Sequence, residues 1–259
     1  MKLKIDFHIH SQKSFDSTMS VQQIIETARQ KGLDGVCICD HACTDIKDIL
    51  ENDNDDFIII PAVEFTTGTN HIISLFLEKE PQINLKENLC AELNEIVAET
   101  KRCNGICILA HPFQNLKKGI DSVLKQTESI LPLIDGMEIY NSRAPYKYSC
   151  ANIIAGAHAE RLKVRTVTAG SDAHLTEEIG NAYCTVECES RSLNDIKKAV
   201  IDGKVEIHGH HCNRTSIVKS NLIKARKTNS TVIYKLKSYI KYPIFSVKDI
   251  TDKIFGRKY

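Results

Sequence analysis

Apolar runs of strand length alternate along this chain with amphipathic helical stretches, an order that few folds accommodate. The strand-like runs fall at residues 3–8, 35–39, 57–60, 71–76, 106–109, 136–140 and 166–169. Helical spacing separates most of them. Residues 21–31 place Val21, Ile24, Ile25 and Ala28 on one face ahead of Gly32. Further helices are read at 85–103, 150–162 and 193–202. Strand-then-helix repetition predicts a parallel sheet, most simply one closed into a barrel with its helices outside. A chain of 259 residues is long enough for such a barrel.

Charge is divided unevenly. Residues 214–259 carry twelve Lys and Arg against Asp249 and Asp252, which leaves 22 basic and 31 acidic groups in residues 1–213. The expected organisation is a barrel over residues 1–213 and a basic, helical extension over residues 214–259. In the extension, Lys219, Lys224, Arg226, Lys227, Lys235, Lys237 and Lys241 are interleaved with Tyr234, Tyr239 and Tyr242. Three uses fit that mixture: a helix docked on the body with its lysines solvated, a grip on nucleic acid, or a contact with anionic lipid. No apolar run approaches the ~20 residues of a membrane span. The first strand starts so near Met1 that no signal peptide is read, and the expected location is cytoplasmic. Ten cysteines without a CxxC pair then read as buried apolar thiols.

Ionisable residues cluster where strands end. His8 and His10 close the first run, His41 follows the second, Glu64 the third and His111 the fifth, while Asp172 and His174 follow the last. In a barrel of parallel strands those ends gather on one face. Packing is a poor reason for them, because buried His, Asp and Glu are costly unless paired, hydrogen-bonded or bound to metal. His8 and His10, two apart on a strand, share a face with Asp6 and form a pair of nitrogen ligands for a divalent transition metal. Mixed nitrogen and oxygen ligation suits zinc, manganese and iron alike. Asp6 and Asp40 serve either to orient imidazoles or only to hydrogen-bond at the barrel mouth.

The motifs run in a definite order. His8-Ile9-His10 is followed by Ser14-Phe15-Asp16, then Asp40-His41, then Glu64 in Ala-Val-Glu-Phe-Thr, then His71 opening the next strand. Ala110-His111-Pro112 and Ser171-Asp172-Ala173-His174 complete the set. This ordered set resembles the PHP (polymerase and histidinol phosphatase) superfamily of metal-dependent phosphoesterases over roughly residues 1–210. The resemblance implies an α/β fold, a distorted (β/α)7 TIM-like barrel, holding two or three divalent transition-metal ions (Mn, Zn or Fe). It implies that His8, His10, Glu64 and Asp172 hold one ion and that Asp16, His41 and His174 hold a second. Glu64, His71 and His111 would hold a third, with Glu64 bridging. The implied reaction is hydrolysis of a phosphomonoester or nucleotide-type substrate by a metal-activated water. Glu64, Asp172 and Arg143 are the residues expected to act in it. Arg143, at the end of the sixth strand, is read as a phosphate contact, since a guanidinium takes two phosphoryl oxygens at once; the other reading is an exposed loop arginine.

Histidinol-phosphate phosphatase, 5′–3′ exonuclease and phosphotyrosine-protein phosphatase are alternatives within the same superfamily. Outside enzymes, the alternative is a nucleic-acid-binding module with a structural metal centre. The chain resembles nucleoside bisphosphate phosphatases and exoribonucleases most, but lacks their inserted helical segment between the fourth and fifth strands, which implies a more open mouth. His158 reads as a surface or packing residue, and His208-Gly209-His210-His211 as the polar end of a short closing strand.

Overall fold

The computed structural model describes residues 1–51, 56–86, 89–146 and 148–228; Tyr234, Lys235, Lys237, Tyr239, Lys241 and Tyr242 lie outside the described residues. The strands are β1 (Lys2–Ile9), β2 (Gly35–His41), β3 (Ile58–Thr66), β4 (His71–Leu75), β5 (Ile106–Ala110), β6 (Gly136–Asn141), β7 (Thr166–Gly170), β8 (Ala182–Glu187) and β9 (Val205–Gly209). The helices are α1 (Val21–Gln30), α2 (Lys47–Leu50), α3 (Leu93–Arg102), α4 (Ile120–Ile130), α5 (Ala151–Leu162), α6 (Leu193–Ile201) and α7 (Arg214–Lys227).

α1 begins at a capping box, in which Ser20 Oγ accepts from Gln23 N and the Gln23 side chain accepts from Ser20 N. α3 starts later than the residue 85 expected from periodicity. Before it, Cys90 bridges to Thr66 and Ala91 N donates to Thr66 O at 2.9 Å, so the chain is spent on a strand edge. α4 went unread, although Val123, Thr127 and Ile130 bury one face at helical spacing.

The sheet runs β7-β6-β5-β4-β3-β2-β1-β8-β9. It is a nearly closed α/β barrel of the TIM-like kind, with nine strands among the described residues where seven and a short closing strand were expected. The expected wholly parallel sheet is also corrected: β4 is antiparallel to β3 and β5, and β8 to β1 and β9. The reason for β4 is the short link at residues 67–70, closed by Thr67 N donating to Asn70 O at 2.8 Å. A parallel crossover needs about a dozen residues or more. The reversal puts His71, the first residue of β4, opposite Ala110 at the end of β5 and Thr66 at the end of β3. The start of this one strand therefore lies with the C-terminal ends of its neighbours.

Alternate residues of the strands feed two apolar clusters. One joins Ile5, Phe7, Cys37, Cys39, Ile60 and Ile108 to Ile196 and Val200 of α6. The other joins Ile38, Phe65, Ile72 and Met137 to α1, α3, α4 and α5. Most cysteines are buried in these layers, as expected of apolar thiols. Among the described residues no helix is long and apolar enough to cross a membrane.

Closure occurs where β1 meets the chain leaving β7. His10 N donates to Ala173 O at 2.9 Å, Ala173 N donates to His8 O at 3.3 Å, and Ile9 bridges Ala173. Gly170 is required there by close approach, because a Cβ would lie 2.2 Å from His8 Cβ and 2.7 Å from His8 N. Gly170→Ala is expected to lower stability in urea unfolding by about 2–3 kcal/mol, the usual penalty for overpacking a core.

Candidate metal centre

The mouth of the barrel brings together all the ligand-type residues expected there. His71 Nδ1 and His111 Nε2 stand 2.7 and 3.1 Å from Glu64 Oε1. His41 Nδ1, His10 Nε2 and His8 Nε2 stand 2.9, 3.4 and 3.6 Å from Glu64 Oε2. Asp172 Oδ1 lies 3.3 Å from His10 Nε2 and 3.6 Å from His8 Nε2. Asp16 pairs with His174 at 3.3 Å and His41 at 3.6 Å. His111 (φ 27°) and Asp172 (φ 55°) hold left-handed backbone conformations that L-residues rarely adopt. Both sit just past a strand end, so the strain turns their side chains into the site.

The imidazoles are oriented by neighbours that have no freedom to swap roles. Ser14 Oγ donates its single proton to Asp40 Oδ1 at 2.7 Å, since a carboxylate has none to give. Toward His10 Nδ1, 3.1 Å away, the same oxygen can only accept. His10 is therefore protonated on Nδ1, with its Nε2 lone pair facing the centre. Burial, then the nearby His174 and His41, lower its pKa to about 3, so the ring stays neutral. His8 Nδ1 donates to Glu138 Oε1 at 3.1 Å, and Glu138 Oε2 accepts from His111 N and Asn141 Nδ2. His8 Nε2 also faces inward, 3.2 Å from His10 Nε2; burial alone would lower the His8 pKa, but the negative groups around it raise it well above the ordinary range.

Two ring nitrogens turned toward each other at 3.2 Å need a proton or a cation between them. The spacing suits two nitrogens sharing one ion at about 2.1 Å each. The acids fit the same requirement. Burial alone would raise the carboxyls of Glu64 and Asp172, but the surrounding imidazoles more than reverse it, and both are held well below the usual range. Glu64 Oε2 and Asp16 Oδ1 are buried without a hydrogen bond, a costly state that coordination would relieve. Imidazole nitrogens and anionic oxygens thus form a donor set fit for divalent transition metals. Cys39 approaches His8 and His10, but burial raises its thiol well above the ordinary range.

Other expected residues are placed differently. Asp6 does not join the imidazoles, because a register shift between Asp6 and Ile9 breaks the alternation of β1. It accepts instead from Ser171 N, Gly180 N and His8 N, and burial raises its pKa to about 6. Asp40 acts through Ser14 and binds Ser11 N and Oγ, which ties down the loop before Asp16. Arg143 lines the cavity but is buried, not an exposed loop residue. Its Nε and Nη2 donate to Glu178 at 2.8 and 3.2 Å, Nη2 also donates to Ser220 Oγ at 2.7 Å, and Nη1 lies 2.9 Å from His174 Nδ1. His158 is a packing residue against Phe113. His208 bonds Thr185 and stacks on Tyr183, and among the described residues the 208–211 cluster gathers no set of three ligand atoms. The roles of Glu138 and Glu178 went unread, although an acid inside the apolar run of β6 and a second acid after the last motif were visible signals.

Comparison with known proteins shows what the chain is similar to. A family model described as PHP-associated matches residues 151–205. An uncharacterized protein of Methanocaldococcus jannaschii is 29% identical over 184 residues, covering 70% of this chain and 69% of its own length. A two-domain protein of Bacteroides vulgatus containing a predicted PHP-like metal-dependent phosphoesterase shares the fold, with a TM-score of 0.56, 19% identity, and 81% of this chain and 65% of that one covered. A lesion-specific endonuclease of Pyrococcus furiosus aligns with a TM-score of 0.57 and 20% identity over 82% of this chain and 60% of its own. This chain thus spans less than two-thirds of the length of those two solved proteins. Family match and shared fold together support a protein of the PHP superfamily.

The bond from Glu138 to His8 generates a test. Glu138→Ala is expected to weaken divalent metal binding about 10–100-fold, as loss of a ligand-orienting partner does. Calorimetric titration with manganese or zinc measures it.

Proposed function

We propose that this protein is a metal-dependent phosphoric-ester hydrolase, cleaving a phosphomonoester or nucleotide-type substrate at a centre of three divalent ions. The supporting observation is the division of imidazoles around Glu64, with His71 and His111 on one oxygen and His41, His10 and His8 on the other. A carboxylate so surrounded is suited to bridge two ions, which an imidazole is not. Asp16, His41 and His174 make the third group.

Bound divalent ions would lower the pKa of water and take up charge on phosphoryl oxygens. Protein groups supply the rest. Ser14 and Glu138 keep Nε2 of His10 and His8 aimed inward. Asp172 stays anionic, its Oδ2 accepting from Asn141 Nδ2 at 3.3 Å, and can accept a hydrogen bond that orients the attacking water. Arg143 fixes positive charge beside His174. The cavity of about 440 Å³ is of small-ligand size. Likeness to an endonuclease fold is a reason to include nucleic acids among the substrates tried.

The test is phosphate or nucleotide release from phosphomonoesters, mononucleotides, bisphosphates and short oligonucleotides, with manganese, iron and zinc compared. Glu64→Ala is expected to lower kcat/KM by about 10³-fold or more with the barrel intact by circular dichroism, because it removes the shared ligand of a metal-assisted reaction. Undiminished turnover in that variant overturns the reading. His71→Ala should release about one ion per chain in elemental analysis, as loss of a ligand opens one site; unchanged stoichiometry argues against a third ion.

A further inference from the structure

α7 is built into the mouth of the barrel. Ser220 and Lys224 share the lining of the metal-centre cavity with Asp16, His41, Asp172 and His174. Ile217, Val218 and Ala225 are buried beneath the helix. Ser220 Oγ accepts from Arg143, and Lys219 pairs with Glu177 at 2.7 Å. Lys227 Nζ donates to the carbonyls of Gln12, Ser14 and Ser17 at 2.8, 2.9 and 2.7 Å, along the loop that carries Asp16. A helix held at so many points presents its inward side chains in fixed positions.

The cations of the cavity are unequal. Arg143 spends its fork on Glu178 and Ser220, so it cannot offer two parallel N–H groups to a phosphate. Lys224 is half-buried, with Nζ 4.3 Å from the centre of the Phe15 ring, and that ring stacks on His41 at 4.8 Å and 9°. Among the described residues no carboxylate is paired with its ammonium. Lys224 therefore brings a net positive charge, on a stem packed along an aromatic wall, to a cavity shared with metal-ligand residues.

We propose that Lys224 of α7 binds the phosphate of the substrate, an inference that rests on the phosphoesterase reading. An ammonium is a compact point charge with freely rotating donors, suited to a phosphate dianion. The basic extension then contributes its first helix to substrate binding at this site, whatever else it does. Arg143 becomes a positioning residue, tied to α7 through Ser220 and to His174.

The experiment uses the full-length, manganese-loaded protein and inorganic phosphate as the probe. Wild type, Lys224→Gln, Lys224→Met and Lys224→Arg are compared by calorimetric titration and thermal melting. Met keeps the apolar stem against Phe15 and Arg keeps the charge. Gln and Met are expected to weaken phosphate binding about tenfold or more, and Arg to restore it to within about threefold, as loss and return of a charge-assisted contact predict. Melting temperatures should stay together. In turnover of any ester the wild type hydrolyses, KM should rise with kcat little changed, the signature of lost uniform binding. Equal phosphate affinity in wild type and Lys224→Met, or no phosphate binding by wild type, overturns the inference. If binding depends on Lys224 but no ester is cleaved, Lys224 stands as the phosphate ligand and the hydrolase reading falls.

Discussion

One buried carboxylate, Glu64, sits within 3.6 Å of His8, His10, His41, His71 and His111, and much of the mouth is arranged around that crowding. Burial alone would neutralise such a carboxyl, but imidazoles on every side hold it as an anion. Two of the rings, His8 and His10, also have outward partners that turn Nδ1 away from Glu64 and Nε2 toward it. Ser14 with Asp40 serves His10, and Glu138 serves His8. These groups come from six different strands or the residues just beyond them, so the site exists only once the barrel has closed.

Closure and site share atoms. The backbone of His8 and His10 both receives and gives the hydrogen bonds that join β1 to Ala173, which lies between Asp172 and His174. Gly170 lets the two segments approach to side-chain contact. A change that loosened this seam would therefore also shift His8, His10, Asp172 and His174. The left-handed backbone at His111 and Asp172 is strain of the kind that surrounding structure must hold in place.

Much of the site was legible from residues alone, because strand ends and ordered motifs are local properties of the chain. The strands that bring in His8, His41, Glu64 and His111 were found, although β2 and β3 run on through His41 and Glu64 instead of stopping before them, and their ends do converge. Asp6 was misread because a register shift is invisible to a strict period of two. The all-parallel sheet was misread although the short link at residues 67–70 carried the contrary signal. α3 began later than its pattern because a strand edge competed for the preceding residues. These are tertiary claims on segments whose local propensity allowed more than one outcome.

Arg143 and α7 mark the boundary between the two kinds of knowledge. Residue types and spacing were enough to establish that imidazoles and acids would meet at the mouth of an α/β barrel, because alternation and strand polarity follow from backbone geometry. They were not enough to show that Glu178 and Ser220 would occupy the guanidinium of Arg143, or that Lys224 would enter the cavity. Those partners lie 35 and 77 residues beyond Arg143 in the chain. A hydrogen bond needs its atoms within a few ångströms, and only folding sets distance between segments that far apart.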